Sequence, residues 1–233
     1  GRSISMAKPR RLVLYSGGQS RSNHKLHEAL VGLVGKKKKV SMTYVPFCED
    51  GCRVFYGRFQ RRYSRFGADS FFCLPVDSKP KKQDLDRALR SDIIYLAGGN
   101  TFYFLKHLRA SGLLPRLKSF AERGGVLAGL SAGAIMLTPN IELAAYPPFE
   151  PDENEVGLRN LKALGLVKFE FLPHFVNSRR MNEAMLMYSL LSPHPVLACP
   201  DGSGVVIDGW RKTYFGHACI FHRGQKIDLD PRR

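Results

Sequence analysis

The chain has 233 residues and a formal net charge of +16, with 44% hydrophobic and 24% charged residues. That is enough chain to bury a sizeable core, in the proportions of an ordinary globular protein. No apolar run approaches the roughly 18 residues of a membrane span, and the opening GRSISMAKPRRLVLY lacks the apolar centre of a secretion signal.

Gly1 to Ser5 ahead of Met6 read as an appended remnant, so one catalytic domain over residues 6–233 and a cytoplasmic location are expected. Arg11 to Tyr15 predicts a first strand running into Ser16-Gly17-Gly18, followed by a helix from Asn23 to Val34 and a second strand from Val40 to Val45. The Lys36–Lys39 run between them reads as a solvated turn. Cys52 to Phe66 is predicted helical. Phe55, Phe59, Tyr63 and Phe66 fall at helical spacing on one expected buried face, with Arg53, Arg58, Arg61, Arg62 and Arg65 interleaved. Aromatics among arginines could also stack on bases, but a solvated arginine face explains them equally well and nucleic-acid function is not expected.

A third strand (Ser70 to Val76), a short helix (Lys82 to Arg90) and a fully apolar fourth strand (Ile93 to Leu96) follow. The turn Ala97-Gly98-Gly99-Asn100-Thr101 leads into a helix from Phe102 to Leu108, and a further helix covers Leu114 to Arg123. Strands alternating with helices through Gly-rich turns predict a mostly parallel sheet covered by helices on both faces. Functional groups of such sheets gather beyond the carboxyl ends of the strands.

The segment Gly124 to Leu137, GGVLAGLSAGAIML, is the sharpest signal. A short buried strand runs into Gly129-Leu130-Ser131-Ala132-Gly133 and then an apolar helix, the strand–turn–helix setting of a nucleophile elbow. Glycines on either side allow close backbone approach, and the Ala132 N–H falls at a helix N-terminus where an oxyanion is favoured. Ser131 is therefore the candidate nucleophile. Pro139 to Pro151 reads as a long acidic loop near the site. Glu170 to Phe175 is a strand, Met181 to Leu191 a helix, and Val196–Cys199, Gly204–Ile207, Thr213–Phe221 and Lys226–Leu229 are late strands, antiparallel at one sheet edge.

A serine nucleophile needs a base. Of seven histidines, His174 in Pro173-His174-Phe175 is favoured by its place at a strand end. Asp201, following another short apolar strand, is the candidate to orient it, with Glu142, Glu150 and Asp152 as competitors. The cysteines Cys48, Cys52, Cys73, Cys199 and Cys219 are odd in number, lack a second Cys/His pair at zinc spacing and sit in no elbow, so reduced, mostly buried thiols are expected.

Four stretches in register, Ile93 to Phe102, Gly129 to Ala134, Leu172 to Phe175 and Pro200 to Gly202, resemble the peptidase E family of serine peptidases, with cyanophycinases as relatives. The resemblance runs from about Leu12 to near the C-terminus. It implies a class I glutamine-amidotransferase-like, flavodoxin-like fold with serine in place of cysteine, and hydrolysis of dipeptides or short peptides with an N-terminal aspartate. By motif, Ser131 is the nucleophile, His174 the base and Asp201 its acidic partner. Gly99 and Ala132 supply the oxyanion hole, while Gly98, Asn100 and Thr101 line the site. Arg179 and Arg180 are the nearest candidates for holding a substrate aspartate; an exposed basic helix start accounts for them equally. An aspartate that some members carry after the elbow corresponds roughly to Tyr146, so that group is missing or displaced to Glu150 or Asp152. No metal or cofactor is expected, and a homodimer is an allowed assembly. The alternatives are a cyanophycinase-like β-aspartyl hydrolase and a non-catalytic ligand- or nucleic-acid-binding protein.

Overall fold

The computed structural model describes residues 8–18, 23–37, 39–146 and 151–229. The expected remnant, Met6 and Glu150 lie outside the described residues. Strands β1 (Arg11–Tyr15), β2 (Val40–Val45), β3 (Ala68–Cys73), β4 (Ile93–Leu96) and β5 (Val126–Leu130) join β8 (Gly204–Asp208) and β9 (Arg211–Phe215) in a seven-stranded sheet. Its order is β3-β2-β4-β5-β1-β8-β9. The first five strands pair parallel, whereas β8 and β9 add antiparallel at the β1 edge.

Alternation along the strands sends neighbouring side chains to opposite faces, so two cores form. On one face Val13, Tyr15, Met42 and Tyr95 meet Leu26 and Leu30 of α1 (His24–Gly32) and Phe59 and Tyr63 of α2 (Cys52–Ser64). On the other, Leu12, Leu14, Leu96 and Leu127 pack against α3 (Lys82–Leu89), α4 (Thr101–Ala110), α5 (Leu113–Glu122) and the short α6 (Ala132–Ile135).

The late strands depart from expectation. Only β8 and β9 lie at the edge of the main sheet. A second sheet, ordered β11-β10-β7-β6, is built from β6 (Glu170–Leu172), β7 (Val196–Ala198), β10 (Ala218–His222) and β11 (Gln225–Leu229). The run Thr213–Phe221, read as one strand, is two. Gly216 takes φ +76 between β9 and β10 and sends the chain from one sheet to the other. Helix α7 (Arg179–Leu191) covers the second sheet through Met181, Met185 and Tyr188. The aromatic stripe of α2 is also narrower than its spacing suggests: Phe59 and Tyr63 are buried, while Phe55 is 57% exposed. Cys52, Cys199 and Cys219 are buried and Cys48 and Cys73 half-buried, all as free thiols. Among the described residues no helix is long and apolar enough to cross a membrane.

Candidate active site

Ser131 follows β5 at the carboxyl edge of the main sheet. Strands β4 and β1 flank β5, so the Gly98-Gly99 and Ser16-Gly17 turns lie on either side of it. The elbow is tight because its glycines permit it. A Cβ on Gly129 would collide with the Gly133 backbone, and one on Gly133 with the Leu96 carbonyl. Ser131 itself sits at φ 55°, ψ −112°, a strained conformation costing about 1–3 kcal/mol that the surrounding packing must hold. Its N–H donates to the Tyr15 carbonyl at 3.0 Å, tying the elbow to β1.

The second sheet supplies the other two groups. Strands β6 and β7 are parallel, so their carboxyl ends emerge side by side, carrying His174 and Asp201. His174 lies two residues past β6, not on it, at φ 57°. Its Nε2 is 2.8 Å from Ser131 Oγ, and its Nδ1 is 2.6 Å from Asp201 Oδ1. Asp201 thus holds Nδ1–H, and the Nε2 lone pair is left to the serine hydroxyl. Both side chains are accessible, His174 at 54% and Asp201 at 61%.

Two residues that sequence reasoning passed over hold this pair. The His174 N–H donates to Ser16 Oγ at 2.8 Å, and Ser16 Oγ–H donates to the Cys199 carbonyl at 2.6 Å. The Gly202 N–H donates to the Gly17 carbonyl at 2.9 Å. A Cβ on Gly17 would lie 2.6 Å from both Asp201 Oδ1 and His174 Nδ1. The signal was present as Ser16-Gly17-Gly18 at the end of the first strand, but only the placement of β1 beside β5 gives it meaning.

The remaining candidates separate. Gly98 lies against the elbow, where a Cβ would come within 3.6 Å of Ser131 Cβ. Gly99 has φ +149° and packs so close to the Phe47 ring that no side chain fits. Ala132 is the first residue of α6, so its N–H has no partner within the helix. Asn100 is a helix cap. Its Oδ1 accepts the Tyr103 N–H at 2.9 Å and its Nδ2 donates to the Glu153 carbonyl at 3.0 Å. Thr101 donates its N–H at 2.9 Å, and also its hydroxyl, to Asp152 Oδ2. That contact takes Asp152 out of contention as the partner of His174. Glu142 sits exposed in a 3₁₀ turn, Glu142–Ala145.

An open cavity of about 1110 Å³ lies beside Ser131 and His174, with Gly99, Thr101, Asp152 and Met181 in its wall. Neither arginine lines it. Arg179 is 93% exposed and bonds Glu183 Oε1 at 2.9 Å, one turn along its own helix. Among the described residues no three His, Cys, Asp or Glu side chains gather as a metal site.

The sequence pattern of Peptidase family S51 matches residues 12–214. The chain belongs to that family. Among curated relatives, Peptidase E of Actinobacillus pleuropneumoniae (serotype 5b, strain L20) is 28% identical over 164 residues, 65% of each chain. The uncharacterized peptidase Lmo0363 of Listeria monocytogenes is 37% identical over 89 residues, 38% of this chain and 42% of its own. The uncharacterized peptidase PM1590 of Pasteurella multocida is 34% identical over 92 residues, 40% of this chain and 44% of its own. The matched stretches thus span between two fifths and two thirds of these relatives. The crystal structure of a peptidase from an acI-B1 Actinobacterium superposes with a TM-score of 0.71 over 97% of this S51 chain and 96% of that one, at 17% identity. A second solved structure, from Listeria monocytogenes EGD-e, gives 0.66 over 88% and 98% at 20% identity. At these identities the likeness is one of fold.

Proposed function

We propose that this S51 member is a serine-type peptidase of short peptides working through an acyl-enzyme. The observation that carries the reading is the continuous chain Ser131 Oγ–His174 Nε2 at 2.8 Å and His174 Nδ1–Asp201 Oδ1 at 2.6 Å, opening onto a cavity. His174 removes the Ser131 hydroxyl proton as Oγ attacks the scissile carbonyl carbon. The tetrahedral oxyanion is received by the Gly99 and Ala132 N–H groups, and Asp201 stabilises the imidazolium. His174 then gives the proton to the leaving amine as the C–N bond breaks. Water, activated by the same histidine, cleaves the Ser131 ester and releases the acid.

Arg179 and Arg180 are not among the described residues that line the cavity, so these two arginines lend no support to a preference for N-terminal aspartate. The test is direct. A serine-directed phosphonate should label Ser131 stoichiometrically, and Ser131→Ala should lower peptide hydrolysis by about 10⁴–10⁶-fold while circular dichroism stays unchanged. Hydrolysis that survives the substitution, or that a chelator abolishes, overturns the assignment. A folded protein that neither labels nor cleaves would be a binding protein on this fold.

A further inference from the structure

The two edges of the main sheet differ in charge. Strands β1 to β5 run parallel, so the residues preceding them share one edge, and the antiparallel β8 ends at that edge too. This amino edge holds Lys8 before β1, Lys36 and Lys39 before β2, Arg90 before β4, Arg123 before β5 and Arg211 at the start of β9, all exposed. Among the described residues none of the six forms an ion pair. They extend from β2 to β9 in the sheet order, a row of about 24 Å at the usual strand spacing. Of the acids nearby, Asp92 is taken up by Lys37 Nζ at 2.7 Å and the Ser41 N–H at 2.9 Å, which leaves Asp69, Glu122 and Asp208. The carboxyl edge, where Ser131 lies, is mixed: Glu49, Asp77 and Asp201 stand with Lys79 and Lys81.

The sole tryptophan of the chain stands on the same edge. Trp210 lies in the two-residue turn Gly209-Trp210 that joins β8 to β9, and it is 89% exposed. Gly209 takes φ +64° in that turn, and its N–H donates to the Arg10 carbonyl at 2.8 Å, which ties the turn to the start of β1. The Arg211 guanidinium lies 5.8 Å from the centre of the Trp210 ring. A large apolar ring with one N–H, held in water beside a row of cations, matches the boundary between lipid headgroups and acyl chains. Tryptophan settles at that depth, and anionic headgroups attract lysine and arginine. Stacking along a nucleic acid strand instead needs successive rings. The aromatics of α2 do not supply them, because Phe59 and Tyr63 are buried in the core and Phe55 lies in the first turn of α2, toward the carboxyl edge. The five residues of β5 put about 17 Å between the amino edge and Ser131, so a surface docked there leaves the cavity open.

We propose that the amino edge docks on an anionic lipid surface, with Trp210 entering the headgroup boundary and the six cations meeting lipid phosphates, while Ser131 faces away. The test mixes the full chain with vesicles of phosphatidylcholine alone or with about 30% phosphatidylserine. Sedimentation reads binding, and the emission of the one tryptophan reads its surroundings. The partition coefficient on the phosphatidylserine vesicles should be about tenfold or more above that on phosphatidylcholine, with Trp210 emission moved to shorter wavelength. Raising the salt from about 0.1 M to about 1 M should abolish that advantage. Trp210→Ala should lower the partition coefficient about fivefold or more. Lys36→Gln with Lys39→Gln should lower it about tenfold or more, whereas Lys79→Gln with Lys81→Gln, the same charge change at the other edge, should lower it less than about twofold. All five side chains are exposed, so circular dichroism should be unchanged in each variant. Equal loss in the two lysine pairs would reduce the effect to net charge and overturn the proposal. So would failure to bind the phosphatidylserine vesicles, or binding that leaves Trp210 emission unshifted. Binding to a single-stranded oligonucleotide with quenched Trp210 emission, and none to vesicles, would assign the edge to nucleic acid instead. Should a variant misfold, the lipid and salt dependence of the wild type decides. None of these readouts involves Ser131.

Discussion

Two trios of a histidine and two oxygen-bearing side chains occur in the molecule, one at the carboxyl edge of the main sheet and one in the core beneath α1 and α2, and their surroundings differ. At one, Ser131, His174 and Asp201 are linked by contacts of 2.8 and 2.6 Å. At the other, Tyr15, His27 and Tyr63 are linked by contacts of 3.0 Å. The buried trio sits between β1, α1 and α2 with Tyr15 and Tyr63 fully buried and His27 4% exposed. Its residues belong to regular strand and helix, and none has positive φ. The accessible trio opens onto a cavity, and two of its members, Ser131 and His174, are held at positive φ. Hydrogen-bond geometry around a histidine is thus a poor mark of chemistry on its own. Access to a cavity and backbone strain maintained by the rest of the fold are what distinguish the two.

The largest effect that sharpens this contrast, short of removing the serine, is Asp201→Asn. The amide keeps the shape but can present N–H to Nδ1, fixing the wrong tautomer. A loss of about 10³–10⁴-fold in kcat is expected, with Tm unchanged to within a few degrees. Loss of less than tenfold would mean that Asp201 does not orient His174. Gly17→Ala comes next. The added methyl falls where His174 and Asp201 meet, so the pair must part while Ser131 is untouched. A displacement of about 1 Å predicts roughly 10²-fold lower kcat/KM. Phosphonate labelling of Ser131 should slow in parallel, and normal labelling with normal turnover would show that the turn can yield.

Much of this was legible in the amino-acid sequence, and the failures share a cause. Strands β1, β2 and β4 begin and end where apolar runs meet glycine or polar residues, and those boundaries match the structure. The tight strand-to-helix turn from Gly129 to Gly133 was legible for the same reason, since its glycines answer a local steric demand. Asp201 could be placed at a strand end but not chosen over Glu142, Glu150 and Asp152, because the choice depends on β6 and β7 pairing. Those strands have three residues each, too short for a period to show, and they belong to a sheet that local pattern cannot reveal. Asn100 was read as a site residue without its second use being seen, as the cap of α4, a common use of asparagine before a helix. Leu74 and Val76 extended the expected third strand because they are buried, although the ladder ends at Cys73.

The smallest predicted effect belongs to the buried trio and concerns stability. Burial, reinforced by the nearby Arg62 and His24 charges, lowers the His27 pKa from 6.5 to about 3. The neutral ring therefore serves as an acceptor at Nδ1, taking the Tyr15 hydroxyl hydrogen while the Tyr63 hydroxyl donates to the Tyr15 oxygen. Below pH 6.5 the unfolded chain takes up a proton at this position and the folded chain does not, so folding loses stability as pH falls, down to about pH 3, and is unaffected above about 7. Between pH 7 and pH 5 this amounts to about 2 kcal/mol. Urea unfolding at the two pH values should show that additional loss in the wild type relative to His27→Gln, which retains an acceptor but cannot titrate. Peptide hydrolysis at pH 7 should be the same in both. Identical pH dependence of unfolding would mean that the ring takes up its proton without leaving the folded state. A fall in hydrolysis would join the two trios functionally and undo the contrast between them.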